Sequence, residues 1–228
     1  VQCGDNLELL KSQPNESVDL IYCDILYGTG RNFGDYQDLK PIRSEIEAHY
    51  LPRLKEMHRV LKSTGSIYLQ MDTKINHWIR CLMDNIFGYD NFRNEIIWCY
   101  RQGGRSESNY SQKHDTIYWY SKSNSQWIFN GDSVRIPYEG TGGYQTSGKG
   151  VVINGKVYKP NELGKIPEDW WDIPAIPPMS KERIGYATQK PKALIERIIK
   201  ASSNEGDTVA DYYLGSGTTA VVCKELNR

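Results

Sequence analysis

The stretch SVDLIYCD, at residues 17–24, constrains the fold most strongly, because it is a nearly continuous apolar run that ends at an acid. Such a run is typical of a strand buried on both faces of a parallel sheet. Residues 46–61 then place apolar side chains three and four positions apart, which predicts a helix in which Pro52 marks a start or a kink. The Thr-Gly pair at 64–65 is predicted to break this helix before a second strand at 66–72.

The alternation of strands and helices continues along the rest of the chain. The apolar pattern predicts helices at residues 76–85, 192–202 and 220–228. It predicts further strands at residues 94–100, 115–120 and 207–213. Strands that alternate with helices indicate a doubly wound α/β sheet.

The stretch from about residue 103 to residue 178 differs from the rest of the chain. Gly, Ser, Asn and Tyr dominate it, and helical periodicity is absent. NGKVY, at residues 154–158, predicts a small hairpin with an Asn-Gly turn. We therefore expect a loop-rich subdomain inserted into the α/β domain.

Composition narrows the class of protein without identifying a partner. Lys plus Arg and Asp plus Glu balance at 28 each, so any basic surface must be local. No apolar stretch approaches the roughly 20 residues that a membrane span needs. The five cysteines are scattered without a CxxC pair, and the four histidines lack a zinc-ligand spacing. We expect a cytoplasmic protein with reduced thiols, no membrane contact and metal-free chemistry.

A glycine-rich turn follows the last predicted strand, in ADYYLGSGTTAVV at residues 210–222. The strand ends in Asp211, the turn contains Gly215 and Gly217, and a helix begins near Thr218. Glycines at such a turn let backbone amides approach a ligand, at the strand end where α/β sheets bind nucleotides. A GxG pattern alone is a weak signal. The spacing is neither GxGxxG nor that of a P-loop, which disfavours a dehydrogenase and a P-loop protein.

Together with DILYGTG at 24–30 and ATQKP at 187–191, the turn resembles the motifs of the amino-methylating DNA methyltransferases. These enzymes use S-adenosylmethionine to methylate adenine N6 or cytosine N4. The tetrapeptide at 24–27 precedes the glycine-rich turn, which is the circularly permuted motif order of the β class. The resemblance covers essentially the whole chain and implies a Rossmann-like doubly wound methyltransferase sheet. Other segments that resemble the family, in family order, include GDNLELL, HRVLKSTGSIYLQMD, NEIIWCYRQGG and KHDTIYWYSK.

The resemblance implies a role for each residue of the tetrapeptide. The Asp24 carboxylate and a following backbone carbonyl, from Ile25 or Leu26, accept both hydrogens of the target amino group and so aim its lone pair at the methyl group. Tyr27 stacks on a base that has been flipped out of the duplex. The family usually has two prolines where this chain has Ile25 and Leu26, so rigidity is lost while the carbonyl survives. We expect prolines restored at both positions to keep or raise activity.

The resemblance also implies a binding site for S-adenosylmethionine and no metal. Asp5 is expected to contact the adenine amino group, while the glycine-rich turn holds the methionine end. The residues assigned to this site are Asp5, Cys23, Asp24, Thr188, Lys190, Asp211, Tyr213, Gly215, Ser216, Gly217, Thr218 and Thr219. The family's acid for the ribose hydroxyls lies on a strand after the glycine-turn helix. This sequence ends before that strand, so we expect a truncation at the C-terminus.

Double-stranded DNA is the partner that the resemblance implies. The residues assigned to DNA are Arg31, Phe33, Arg101, Arg105, Lys113, Lys181 and Arg183. Of these, Arg31 and Phe33 are expected near the base pocket, together with the RQGG loop at 101–104. Residues 1–129 are then the catalytic part of the domain, 130–180 the target-recognition insertion and 181–228 the cofactor-binding part. A homodimer and a cognate restriction endonuclease are further partners that the resemblance allows.

Adenine N6 is the predicted target, because Asp rather than Ser at position 24 favours adenine. Cytosine N4 is the near alternative. A methyltransferase-like DNA-binding module that no longer catalyses is an alternative from another class, motivated by the altered DILY and DYY stretches. An RNA or protein substrate is disfavoured, because the inserted segment resembles that of DNA-modifying relatives.

Overall fold

The structure is a computed structural model that describes residues 1–34, 36–101, 104–138 and 151–228. The helices in these ranges are α1 (Asn6–Ser12), α2 (Arg43–Val60), α3 (Asn76–Phe87), α4 (Lys192–Ser202) and α5 (Thr218–Glu225). The strands are β1 (Val18–Asp24), β2 (Leu61–Met71), β3 (Phe92–Cys99), β4 (His114–Ser121), β5 (Val151–Ile153), β6 (Lys156–Tyr158), β7 (Trp170–Asp172) and β8 (Val209–Ala210).

Within the described residues, a mixed sheet of six strands in the order β7-β3-β4-β2-β1-β8 forms the centre of the fold. β1 pairs in parallel with β2 and β8, and β3 pairs in parallel with β7. β4 runs antiparallel to β2 and β3. The predicted α/β sheet is therefore confirmed, with a reversed strand that the alternation of elements did not predict. The interpretation of the motif order as a circular permutation is not tested by this topology and stays a prediction.

Helices cover both faces of the sheet, because alternate side chains of each strand point into two apolar clusters. Ile21 and Cys23 of β1 pack in the cluster that contains the buried faces of α2 and α3. Leu20 and Tyr22 pack in the cluster that contains the buried faces of α4 and α5. Both faces of β1 are thus covered, which explains its nearly continuous apolar run.

The first helix-to-strand junction differs from the prediction. β2 begins at Leu61, directly after α2, so the prediction that residues 64–65 separate helix from strand is wrong. Gly65 lies inside the strand, where an added Cβ would lie 2.7 Å from the Leu61 Cδ1 and 2.8 Å from the Asp19 carbonyl oxygen. Close packing, and not a turn, therefore requires this glycine. Pro52 lies within α2 and does not mark its start.

The other predicted elements agree with the structure at most of their positions. α4 matches its predicted range, whereas β8 is much shorter than the predicted strand at 207–213. The sequence pattern did not predict α1, a short helix with Leu10 as its buried residue. No helix among the described residues is long and apolar enough to cross a membrane.

The region between residues 130 and 180 contributes a strand to the main sheet as well as a hairpin. β5 and β6 form the predicted hairpin, and its turn residues Asn154 and Gly155 have φ angles of 52° and 76°. β7 pairs with β3 at an edge of the main sheet, with Trp171 buried and Trp170 exposed. The assignment of this region to target recognition is not tested by the arrangement and stays a prediction.

Acidic residues gather at one edge of the main sheet. The carboxyl ends of β1, β2, β3, β7 and β8 meet there with the amino end of the reversed strand β4. Asp24 ends β1, Asp115 lies near the start of β4, Asp172 ends β7 and Asp211 follows β8. Because α/β sheets bind ligands at the carboxyl ends of their parallel strands, this edge is where a site is expected.

Candidate active site

A cavity of about 280 Å³ lies at this edge of the sheet. The loop that follows β1, the segment that precedes α4 and the turn between β8 and α5 form its walls. Predicted site residues that line it are Asp24, Ile25, Leu26, Tyr27, Phe33, Thr188, Lys190, Asp211, Tyr213, Gly215, Ser216, Thr218 and Thr219. The fold thus brings together three motifs that lie far apart in the sequence.

Asp24 lies in this cavity, and both of its carboxylate oxygens have partners. The Tyr27 hydroxyl donates to Oδ1 at 2.8 Å, and the Lys190 ammonium forms an ion pair with Oδ2. The side chains of Lys190 and Asp24 are 11% and 19% exposed, so little water screens their attraction. The Lys190 Nζ also lies 5.2 Å from the centre of the Tyr27 ring. Asp24 is therefore fixed as a hydrogen-bond acceptor.

Tyr27 has a second partner in Asp115, which is only 3% exposed. The Tyr27 hydroxyl lies 2.5 Å from the Asp115 Oδ2, and the Gln70 amide donates to the same oxygen at 2.8 Å. The Tyr22 hydroxyl donates to the Gln70 Oε1 at 2.8 Å. Burial raises the pKa of the Asp115 carboxyl and holds the pKa of the Tyr27 hydroxyl well above its usual value. Tyr27 therefore acts as a hydroxyl donor.

The backbone at Ile25 and Leu26 is held by hydrogen bonds in place of proline rings. The Ile25 N–H donates to the Gln70 carbonyl at 3.0 Å. The Tyr50 hydroxyl donates to the Leu26 carbonyl at 3.1 Å. A proline at position 25 has no N–H and would lose the bond to Gln70. The expectation that prolines at both positions keep or raise activity stays a prediction, and the loss of this bond argues against it at position 25.

Asp38 closes the loop that follows Tyr27. Its buried carboxylate accepts hydrogen bonds from the backbone N–H groups of Gly28, at 3.1 Å, and Thr29, at 2.7 Å. Gly28 has a φ of 67°, and an added Cβ there would lie 2.6 Å from the Ile75 Cγ2. Only glycine fits this turn without a shift of its neighbours. The loop that carries Tyr27 is thus fixed by β1 on one side and by Asp38 on the other.

The glycine-rich turn surrounds a half-buried acid, Asp211. The Thr219 hydroxyl donates to the Asp211 carboxylate at 2.6 Å, and the Tyr213 N–H donates to it at 2.9 Å. Gly215 and Gly217 have φ angles of 51° and 80°, which favour glycine. Burial is the main cause that raises the pKa of Asp211 to about 7, and the hydrogen bonds from Thr219 and Tyr213 oppose it. This wall of the cavity therefore offers a carboxyl that a cation would stabilise in its charged form.

Three residues assigned to the cofactor do not line the cavity. Asp5 caps α1 through the Leu7 N–H at 2.8 Å and forms an ion pair with Arg53 at 2.9 Å. Cys23 is fully buried, and the Tyr212 N–H lies 3.4 Å from its Sγ. Gly217 caps α5. Their assignment to the cofactor stays a prediction.

The residues assigned to DNA, with the exception of Phe33, lie outside the cavity. Arg101 follows β3 and forms an ion pair with Asp172, while Lys113 precedes β4 and donates to the Gly104 carbonyl at 2.6 Å. The exposed residues of the set are Arg31, Arg101, Arg105, Lys181 and Arg183. Residues 102 and 103 of the RQGG loop lie outside the described residues.

The sequence reasoning missed three residues that hold the cavity in shape, namely Gln70, Asp115 and Asp38. Asp115 carried a usable signal, because an acid at the start of an apolar strand is buried only when it is paired. Gln70 carried the same signal inside the apolar run of β2. Asp38 carried no such signal, because its carboxylate binds backbone groups of a loop whose path the sequence does not reveal. In the described parts of the chain, no three His, Cys, Asp or Glu side chains form a group that could hold a metal ion.

The sheet, the glycine-rich turn and the Asp24 loop together define a Rossmann-like protein of the methyltransferase class. A family model described as DNA methylase matches residues 18–228, and the chain therefore belongs to this N6/N4 DNA methylase family. The resemblance deduced from the motifs is confirmed.

Curated relatives and solved structures agree with this assignment. The chain is 41% identical to the Type II methyltransferase M1.MboII of Moraxella bovis, over 100% of the chain and 87% of that protein. It is 32% identical to the DNA adenine methyltransferase YhdJ of Escherichia coli (strain K12), over 96% of the chain and 72% of that protein. The fold is similar to that of the PvuII DNA methyltransferase (cytosine-N4-specific), with a TM-score of 0.69 at 18% identity, over 99% and 77% of the two chains. It is also similar to the M1.HpyAVI-SAM complex, with a TM-score of 0.62 at 20% identity, over 99% and 87% of the two chains.

The Asp211 carboxyl makes the free energy of unfolding depend on pH. Its pKa of about 7 in the folded protein exceeds the usual 3.8, so the folded state binds the proton more tightly than the unfolded state. Its contribution to stability is complete below pH 4 and is lost as the pH rises to about 7. An Asn side chain does not titrate. As the pH rises across this window, the unfolding free energy of Asp211→Asn should therefore increase relative to that of the wild type. The shift is at most about 1.4 kcal/mol per pH unit.

Urea unfolding at several pH values between 4 and 8 measures this difference. Asp90→Asn, at an exposed position, is the control for the loss of one carboxylate. A difference between wild type and Asp211→Asn that stays constant across the window would contradict the expectation.

Proposed function

We propose that this protein is an S-adenosylmethionine-dependent DNA methyltransferase that transfers a methyl group to the N6 amino group of a flipped adenine. The observation that carries the proposal is the position of Asp24, which shares one cavity with the glycine-rich turn and the Tyr27 loop. Adenine is favoured by an aspartate at this position and by the likeness to an adenine methyltransferase. The likeness in fold to a cytosine-N4 enzyme keeps cytosine as the alternative base.

Two acceptors are proposed to activate the amino nitrogen of the base. An exocyclic amino group is a poor nucleophile because its lone pair conjugates with the ring. The Asp24 Oδ1 and one backbone carbonyl accept its two hydrogens, and the lone pair is then localised towards the methyl donor. We assign the carbonyl to Ile25, since the Leu26 carbonyl already accepts from Tyr50. Such positioning can supply roughly 7–11 kcal/mol of the barrier.

The methyl donor is assigned to the wall formed by the glycine-rich turn. S-adenosylmethionine supplies an electrophilic methyl group on a positively charged sulfur. Asp211 fits a cationic ligand, because a nearby positive charge would offset the cost of ionising its half-buried carboxyl. The positive φ angles at Gly215 and Gly217 let backbone amides at the start of α5 approach the ligand. Thr188 and Lys190 complete this wall.

The bonds, electrons and protons of the proposed transfer balance within the cavity. The amino nitrogen forms a bond to the methyl carbon while the bond between that carbon and sulfur breaks, and the electron pair of the broken bond stays on sulfur. The nitrogen then loses one proton, for which Asp24 is the acceptor. The ion pair with Lys190 keeps Asp24 in place during the step.

Double-stranded DNA is proposed to bind over this edge of the sheet. The exposed side chains of Arg31, Arg105, Lys181 and Arg183 supply phosphate contacts, and Phe33 lines the base pocket. Residues 130–180 are proposed to read the target sequence. A homodimer and a cognate restriction endonuclease remain proposals that rest on the family alone.

Nucleoside mass spectrometry tests the function directly. Unmethylated genomic DNA is incubated with the protein and S-adenosylmethionine that carries a deuterated methyl group. We expect labelled N6-methyladenine from the wild type and none from Asp24→Ala, because the variant loses the acceptor. DNA binding by the variant should stay close to that of the wild type, since Asp24 lies below the surface.

Three other outcomes are informative. Labelled N4-methylcytosine would keep the mechanism and overturn the base. Label from Asp24→Ala at the wild-type rate would overturn the role of Asp24. Tight DNA binding by the wild type without any label would favour a DNA-binding module that no longer catalyses.

The two positions that usually hold proline are expected to respond differently to it. Ile25→Pro removes the N–H that donates to the Gln70 carbonyl and should lower the rate of methyl transfer by about 10- to 100-fold, as expected for a misplaced acceptor. Leu26→Pro keeps the Leu26 carbonyl and should retain the wild-type rate. Each variant is the control for the other, since both remove one backbone N–H. Initial rates on genomic DNA measure the effect, and the opposite order of rates would contradict this account of the loop.

A further inference from the structure

Asp115 and Gln70 form a buried polar pair behind Tyr27 that the proposed transfer step does not use. Asp115 lies on β4 and Gln70 on β2, and the sheet register places Gln70 directly beside Asp24 of β1. Asp115 is 3% exposed and Gln70 is fully buried. A carboxyl in such a place is costly unless its oxygens are paired. Both Tyr27 and Gln70 contact the same oxygen, Asp115 Oδ2, at 2.5 and 2.8 Å.

The Tyr27 hydroxyl stands between two carboxylates and has one proton to share. The distances from its oxygen are 2.8 Å to the Asp24 Oδ1 and 2.5 Å to the Asp115 Oδ2. Its proton can make a full hydrogen bond to only one of them at a time. In the free protein, therefore, Tyr27 shares its proton between Asp115 and the oxygen of Asp24 that the proposed mechanism gives to the amino group of the base.

A base whose amino group binds this oxygen of Asp24 competes for it with Tyr27, because the other oxygen is held by Lys190. The ring of Tyr27 would then lose one of its two anchors at the moment when it has to form a wall of the base pocket. Asp115 is the anchor that remains. Gln70 donates to it from behind, and Tyr22 in turn holds Gln70.

We propose that Asp115 is a positioning residue for Tyr27, which keeps the tyrosine ring in place after the target base has taken over Asp24. This inference rests on the proposed function and adds a residue to it. Asp115 touches neither the base nor the methyl donor in this scheme, and its effect on the reaction passes entirely through the Tyr27 hydroxyl.

A double-mutant cycle tests whether the effect passes through Tyr27. Asp115→Ala should lower kcat for methyl transfer to genomic DNA by about 10- to 100-fold, as expected for a base displaced by about 1 Å. The Kd for S-adenosylmethionine should not change. Tyr27→Phe keeps the ring and removes the hydroxyl, so Asp115→Ala should lower kcat no further in the Tyr27→Phe background. Asp115→Asn keeps an acceptor oxygen for Tyr27 and should retain more activity than Asp115→Ala.

Tyr120→Phe is the matched control on the same strand. It removes a hydroxyl that lies 2.5 Å from the Asp84 carboxylate, away from the cavity, and should leave kcat unchanged. Effects of Asp115→Ala that are equal in the two backgrounds would overturn the proposal and leave Asp115 with a purely structural role. An unchanged kcat in Asp115→Ala would overturn it as well.

A second cycle, on the free energy of unfolding, separates this inference from the proposed function. The same four proteins are unfolded in urea without DNA, and coupling between Asp115 and Tyr27 is expected from their contact. A wild-type protein that transfers no methyl group would defeat the proposed function, whereas this cycle would still show whether Asp115 holds Tyr27. Additive unfolding free energies would overturn the inference whatever the activity.

Discussion

The hydrogen bond between the Tyr27 hydroxyl and the Asp24 carboxylate, together with the ion pair from Lys190 to the same carboxylate, joins two of the three walls of the cavity. Asp24 and Tyr27 come from the loop after β1, and Lys190 comes from the segment before α4. An unpaired carboxylate in this place would be expensive, because it is largely withdrawn from water. The pairing therefore fixes the distance between two wall segments that are remote in the sequence.

Hydrogen bonds hold the loop after β1 at the two positions where the family usually has prolines. Proline rings would fix the backbone dihedrals of positions 25 and 26 directly. Here the bond from the Ile25 N–H to β2 and the bond from Tyr50 to the Leu26 carbonyl hold the same two positions from outside. Hydrogen bonds to neighbouring segments, and not proline rings, therefore constrain this loop. The position of the loop thus depends on the packing of α2 and β2, which supply those neighbours.

Local pattern predicted most of the fold, because strands and helices of this sheet have clear apolar periods, as β1 and α4 illustrate. It failed where contacts between segments decide. Gly65 suggested a turn, but it lies within β2, close to the Asp19 carbonyl of the neighbouring strand. The family motifs predicted Asp24, Tyr27 and the glycine-rich turn, since these are short and ordered. They did not predict Asp115 or Asp38, because each acts through a contact between segments whose distance apart only the folded chain defines.

The central claim is that Asp24 exchanges Tyr27 for the amino group of the target base while Asp115 retains Tyr27. A crystal structure with a non-reactive analogue of S-adenosylmethionine, and with a duplex that contains the sequence methylated in genomic DNA, tests it most directly. We expect the target amino nitrogen within hydrogen-bond distance of the Asp24 Oδ1 and the Ile25 carbonyl, with the Tyr27 hydroxyl on Asp115. A flipped base bound elsewhere, with Tyr27 still bonded to Asp24, would contradict the account.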